Sequence, residues 1–138
     1  MKNCIYCKSD SLKVLTETEE FTYKDKTVQI PVVFTLCDNC QREYIVKQQI
    51  LKNEAAVRDV KKSIDGLLTS TEIKQARDKL NLTQEQASLV FGGGKNAFSK
   101  YERAEVSQSK SMDKLIRTCL HHPNAFKDLL AQAGISNN

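Results

Sequence analysis

The sequence, 138 residues long, contains no long hydrophobic run. No segment approaches the roughly 20 consecutive apolar residues that a membrane-spanning helix needs. The opening residues, Met1 to Cys4, lack the apolar stretch of a secretory signal peptide. We therefore expect a cytoplasmic protein that makes no contact with a membrane.

A strong charge of either sign is also missing. The net charge is +4 at pH 7, which is too mild for charge alone to indicate a nucleic-acid partner. Apolar residues make up 40% of the chain and charged residues 28%, a composition typical of a folded globular protein without low-complexity tracts. The length suffices for two small modules if a metal ion stabilises one of them.

Four of the five cysteines form two Cys-x-x-Cys pairs, Cys4 with Cys7 and Cys37 with Cys40. Two residues between thiolates let both reach one ion from a single tight turn, or knuckle. Two such knuckles provide the closed tetrahedral sulfur site that Zn²⁺ prefers. We predict one structural zinc ion, which contributes on the order of 10 kcal/mol to the folding of a module with little core of its own.

Other uses of paired cysteines fit the sequence less well. Two disulfides would need an oxidising compartment, which nothing in the sequence suggests. A redox Cys-x-x-Cys usually occurs once, in a βαβ setting. A catalytic zinc ion needs an open coordination position, and no Glu/His base constellation accompanies these cysteines. We therefore expect that the protein is not an enzyme.

The secondary-structure pattern changes near residue 44 and predicts an α+β protein of two modules. Segments 11–16, 21–23 and 28–36 are rich in β-branched and aromatic residues, and a turn is expected at 24–26. Apolar residues recur at helical spacing across 44–68. We therefore assign residues 1–68 to a small β zinc-binding module with a linker helix.

Residues 69–138 are predicted to form an all-α domain of five short helices. Capping-box pairs open its first two helices, at Thr69 with Glu72 and at Thr83 with Gln86. The second helix is expected over 84–91. Three glycines at 92–94 then break the chain before a third helix from about Lys95 to Arg103.

The second and third helices read as a helix-turn-helix. If the third helix enters the major groove, its first turns present base-reading candidates, namely Lys95, Asn96, Ser99 and Lys100. The second helix would then meet the DNA backbone through Thr83 and Gln84 at its N-terminus. The same pattern fits any antiparallel helix pair, in which the two lysines are simply solvated.

The chain resembles the MqsA-type antitoxins, which join a YgiT-type zinc finger to an Xre-like helix-turn-helix. The resemblance rests on the two cysteine knuckles, the Leu82-Thr83-Gln84 opening and the string Phe-Gly-Gly-Gly-Lys-Asn-Ala-Phe-Ser-Lys-Tyr-Glu at 91–102. It implies a homodimer formed through the helical domain that binds a palindromic operator and represses its own operon. It also implies that the zinc module holds and blocks an RNA-cleaving toxin. In such proteins the asparagine that corresponds to Asn96 reads bases together with an arginine. This chain has Lys100 at the position of that arginine.

The sequence therefore favours an antitoxin that neutralises a cognate ribonuclease toxin and acts as an autorepressor. The alternative is a stand-alone Xre-like repressor whose zinc module is structural or senses metal. A harmless neighbouring gene product, together with DNA binding that follows cellular zinc, would favour the alternative.

Overall fold

The computed structural model describes residues 3–136 and has the predicted α+β organisation. An antiparallel sheet with the strand order β1-β2-β3 comes first in the chain, and helices follow it. Among the described residues no helix is both long enough and apolar enough to cross a membrane. The strands and helices are β1 Leu12–Tyr23, β2 Lys26–Cys37, β3 Glu43–Tyr44, α1 Lys47–Ile64, α2 Ser70–Lys79, α3 Gln84–Phe91, α4 Ala97–Glu102, α5 Lys110–His121 and α6 Pro123–Ala133.

The chain separates into two compact units between Val57 and Arg58, inside helix α1. In the C-terminal unit, the Asp59 carboxylate accepts hydrogen bonds from the Ser70 N–H at 3.0 Å and from the Ser70 hydroxyl at 2.5 Å. The last turns of α1 are therefore bonded to the start of α2. The domain boundary that the sequence predicts after Leu68 is a different kind of boundary, since it states which segments fold independently of each other. It stays a prediction.

Strands β1 and β2 form one continuous hairpin of 12 residues on each side. Lys24 and Asp25 connect them with φ values of 48° and 64°, the left-handed pair that a two-residue hairpin turn requires. In place of β1 the sequence predicted two shorter strand segments, 11–16 and 21–23, because the stretch 17–20, Glu-Thr-Glu-Glu, has little β propensity. Pairing with β2 at 29–32 keeps this stretch extended. The short strand β3, paired to β2 at Thr35, was not predicted.

The five predicted helices of the C-terminal domain are present as α2 to α6. Both capping boxes form, with the hydroxyls of Thr69 and Thr83 each accepting the N–H of the third helical residue. Helix α3 has the predicted bounds. Helix α4 starts at Ala97, not near Lys95, because Gly94 has φ +95° and Asn96 occupies the N-cap.

The helices of the C-terminal unit enclose one apolar core. Ile73, Ala87, Phe98 and Ile116 are at most 1% exposed, and they come from four different helices. The aromatic rings of Phe91 and Phe98 pack 5.7 Å apart between their centroids. This core fixes the inner faces of α3 and α4 and leaves their outer faces to solvent.

Candidate metal centre and nucleic-acid interface

The four paired cysteines come together in the N-terminal unit. Their Sγ atoms all lie within 4.8 Å of one another. Cys4 Sγ is 3.7 Å from Cys40 Sγ, and Cys7 Sγ is 3.6 Å from Cys37 Sγ. Zn–S bonds of about 2.3 Å arranged as a tetrahedron place sulfur atoms about 3.8 Å apart. The cluster therefore has the donor atoms and the spacing that one structural zinc ion requires, as the sequence predicted.

The two knuckles share one backbone design. In the first, the Lys8 N–H donates to the Cys4 carbonyl at 3.0 Å; in the second, the Gln41 N–H donates to the Cys37 carbonyl at 2.8 Å. Lys8 and Gln41 both have left-handed backbones, with φ values of 68° and 61°. Each tight turn thus presents its two thiols on the same side, and the matching turns allow the four sulfurs to converge.

Local hydrogen bonds prepare some of these thiols to bind a cation. The Asn39 side-chain N–H donates to Cys7 Sγ at 3.4 Å and, together with a backbone hydrogen bond from Ser9, lowers the pKa of Cys7 to about 6 against the effect of burial. Burial opposes the ionisation of Cys4, but backbone N–H groups of its own knuckle hold its pKa below the usual value. For Cys40, the backbone N–H of Arg42 favours the thiolate, yet burial and the neighbouring sulfurs raise the pKa to about 11. Four thiolates this close need a cation between them, and Zn²⁺ supplies that charge.

The predicted base-reading residues surround the start of helix α4. Asn96 occupies the N-cap position, but its side chain makes no capping hydrogen bond, so its amide is available to a ligand. Lys95 and Lys100 are exposed on either side of it. The opposite face of α4 is buried in the core through Ala97, Phe98 and Tyr101. The contact of these residues with DNA stays a prediction.

Ser99, the fourth candidate, is half-buried, and its hydroxyl already has a partner. Arg103 Nη1 donates to Ser99 Oγ at 2.6 Å, and the same guanidinium donates two bonds of 3.1 Å to Glu105. The sequence analysis did not single out Arg103. Its i, i+4 spacing from Ser99 was the signal that could have identified this contact.

Thr83 and Gln84 lie at the start of helix α3, as predicted for contacts with a DNA backbone. The capping box uses the Thr83 N–H and hydroxyl, which are bonded to the Gln86 side chain and N–H at 2.9 and 3.1 Å. Gln84 Nε2 donates to Glu102 Oε1 at 3.2 Å. Gln84 is an exposed residue in the first turn of α3, where a backbone N–H has no partner within the helix. Its N–H is thus a better candidate phosphate donor than the groups of Thr83, which are already bonded.

A buried ion pair fixes α4 against α2, and sequence reasoning missed it. Arg77 Nε and Nη2 donate to the two carboxylate oxygens of Glu102 at 2.7 and 2.9 Å. The Arg77 and Glu102 side chains are only 12% and 5% exposed. Arg77 Nη1 also donates to the Leu82 carbonyl at 2.9 Å, just before α3. One guanidinium therefore sets the positions of three helices at this site.

Comparison with known proteins identifies relatives of this chain. A family model described as MqsA, the antitoxin component of a bacterial toxin-antitoxin system, matches residues 1–130. The protein named Antitoxin MqsA from Escherichia coli strain K12 is 33% identical over 105 residues. This alignment covers 75% of the present chain and 80% of the Escherichia coli protein.

Proposed function

Because the chain belongs to the MqsA family of antitoxins, we propose that it has two activities, toxin neutralisation and autorepression. Its zinc module blocks a cognate ribonuclease toxin, and its helical domain represses its own operon. In the second activity a homodimer binds a palindromic operator. The zinc ion is a scaffold for the first module, held by four sulfur ligands that leave no open position for chemistry.

The observation that carries the DNA-binding proposal is the free amide of Asn96 at the start of α4. An asparagine amide offers one donor and one acceptor, which match the N7 and N6 groups of adenine in the major groove. Lys95 and Lys100 flank it with positive charge. Lysine donates to guanine or phosphate, but it lacks the planar fork of arginine, so Lys100 makes a less geometrically selective contact.

The DNA-binding proposal is tested with Asn96→Ala in the zinc-loaded full chain. We expect binding to the promoter DNA of its own operon to weaken by about 1–3 kcal/mol, with binding to scrambled DNA little changed. Asn124→Ala, at an exposed position in α6, is the matched control and should bind as the wild type does. Equal affinity of the wild type for promoter and scrambled DNA would refute sequence-specific repression.

The toxin half of the proposal is tested by expressing the neighbouring reading frame in a host, with and without this chain. We expect growth arrest that co-expression relieves, and we expect the two proteins to copurify. If the neighbouring product is harmless and does not bind, toxin neutralisation is refuted. That result would leave the DNA-binding proposal standing, because Asn96 and the zinc module belong to different units.

A further inference from the structure

Strand β1 lies at the edge of the sheet, and the hairpin turn determines which of its backbone groups face outward. In a two-residue hairpin the residues flanking the turn, here Tyr23 and Lys26, form a hydrogen-bonded pair, and bonded and non-bonded pairs then alternate. Thr22 and Thr27 fit the first non-bonded pair, since their hydroxyl oxygens are 2.9 Å apart. By this alternation four residues between Lys13 and Glu20 have N–H and C=O groups that point away from β2, namely Val14, Thr16, Thr18 and Glu20.

The outer edge of β2, on the other side of the hairpin, is protected by three features: a paired strand, a side chain bonded to its backbone, and a proline. Thr35 pairs with Tyr44 of β3. The Asn53 side chain of α1 bonds both backbone groups of Val33, accepting its N–H at 2.8 Å and donating to its carbonyl at 3.1 Å. Pro31 occupies the next outward position of β2 and has no N–H to donate. Proteins protect edge strands in such ways because an open edge pairs with other chains.

The outer edge of β1 has no such protection among the residues that the structure describes. From Lys13 to Glu20 every residue is exposed, and Val14 is 69% exposed. No described residue forms a hydrogen bond with the outward backbone groups of this stretch. An exposed strand of this length is a template for an added strand from a partner.

The charges on β1 indicate what kind of partner fits. The middle of the strand contains three glutamates, Glu17, Glu19 and Glu20. None of them forms an ion pair within the described part of the chain. Antiparallel pairing of β1 with a second copy, centred on Thr18, would place glutamates opposite glutamates, which is destabilising. A strand that carries lysine or arginine is favoured instead.

We propose that the outer edge of β1 is the docking site of the toxin, which adds a strand there with basic side chains beside these three glutamates. This inference rests on the proposed function, because it takes the partner to be a ribonuclease. A ribonuclease must bind the phosphate backbone of RNA, so it carries a basic surface. Main-chain hydrogen bonds along β1 supply affinity, and the glutamates speed association and select the partner.

Amide hydrogen exchange tests the geometry directly, using the zinc-loaded full chain with and without the toxin from the neighbouring reading frame. We expect the amides of Val14, Thr16, Thr18 and Glu20 to exchange at least about tenfold more slowly in the complex, as amides gaining a ladder bond do. The alternate amides are already bonded to β2 and should change less. Unchanged exchange of the four outward amides in a complex that forms overturns the docking site.

A proline variant tests the same edge through affinity. Thr16→Pro removes one outward N–H without removing a bond to β2, a position at which edge strands tolerate proline. We expect it to raise the Kd for the toxin at least about tenfold, whereas Thr16→Ala, which keeps the N–H, stays within about threefold. Retained circular dichroism and zinc content show that the variant folds. Equal Kd values for the two variants would rule out strand addition at this edge.

Charge reversal tests the choice of partner. Glu19→Lys should slow association with the toxin by about three- to tenfold at low salt, and Glu54→Lys, an exposed reversal on α1, should not. Protection of the outward amides that rises with this chain's own concentration, without toxin, would instead identify a second copy as the occupant and overturn the proposal. A wild type that does not bind the toxin at all refutes the proposed function itself.

Discussion

Replacing Glu102 by Gln should destabilise the C-terminal unit strongly, because it leaves the Arg77 guanidinium without its counter-ion. The pair is bidentate, at 2.7 and 2.9 Å, and the two side chains are 12% and 5% exposed. Removing one partner of a buried pair costs about 3–5 kcal/mol. Asp78, 3.6 Å from Arg77 and 56% exposed, offsets part of this loss, so we expect the low end, about 3 kcal/mol.

Thermal unfolding of the zinc-loaded full chain, followed by the helical circular dichroism signal, measures the effect. A domain of this size loses about 4–8 °C of Tm for each kcal/mol, so Glu102→Gln should lower Tm by at least about 12 °C. Binding to promoter DNA should weaken as well, since Arg77 and Glu102 fix the position of α4.

Two further variants separate burial of charge from loss of a hydrogen bond. The exposed pair of Arg103 and Glu105 has similar bidentate geometry, with side chains 57% and 51% exposed. Glu105→Gln should therefore leave Tm nearly unchanged. The double variant Arg77→Met with Glu102→Leu removes both charges and should recover most of the stability that Glu102→Gln loses. Equal losses for Glu102→Gln and Glu105→Gln would refute the reasoning from burial.

Three other perturbations have defined outcomes. Cys37→Ser removes a zinc ligand, and we expect loss of the β-sheet circular dichroism signal with the helical signal retained; one cooperative loss of both would mean that the units fold together. Gly93→Ala should cost about 1 kcal/mol more than Gly94→Ala in urea unfolding, because both have φ near +95° but only at Gly93 would a Cβ meet another atom closely, 3.0 Å from Ala97 Cβ. Burial opposes the ionisation of Asp113, yet hydrogen bonds from the Leu68 N–H and from Arg117 lower its pKa. Its contribution is therefore present above the ordinary aspartate pKa and lost as pH falls through the lower folded value, so Asp113→Asn should flatten the acid limb of unfolding free energy against pH.

Features set by local spacing could be predicted from the sequence. The cysteine knuckles depend on two residues between thiols, and the capping boxes at Thr69 and Thr83 depend on a partner three residues later. Helix α3, between a capping box and a glycine, was predicted with its observed bounds for the same reason. In each case the residues that determine the structure lie within one turn of the chain.

Features set by distant residues could not be predicted. The stretch 17–20 of β1 is extended because β2 pairs with it, although its own propensity argues against a strand. Asn39 donates to Cys7 across 32 positions, and Arg77 pairs with Glu102 across 25. None of these contacts leaves a periodic pattern in the sequence.

The zinc site and the open edge of β1 are physically coupled through the hairpin. Cys37 ends β2 opposite Leu12, and the next residue, Asp38, donates its N–H to the Ser11 carbonyl at 2.9 Å. The second cysteine knuckle therefore holds β1 and β2 together at the end of the hairpin opposite the turn. Without zinc this end should fray first, which disorders the nearby outward amide of Val14 before the turn end is affected.

Because of this coupling, removal of zinc has different expected effects for an antitoxin and for a metal-sensing repressor. In the antitoxin, chelation of zinc should weaken toxin binding while promoter binding through Asn96 and Lys100 persists, because the apolar core of the helical unit contains no zinc ligand. In a metal sensor, promoter binding itself would follow zinc. The two hypotheses are distinguished by titrating the full chain with a chelator while measuring its affinities for promoter DNA and for the toxin. Parallel loss of promoter and toxin binding would contradict the proposal that the zinc module binds the toxin and the helical unit independently binds DNA.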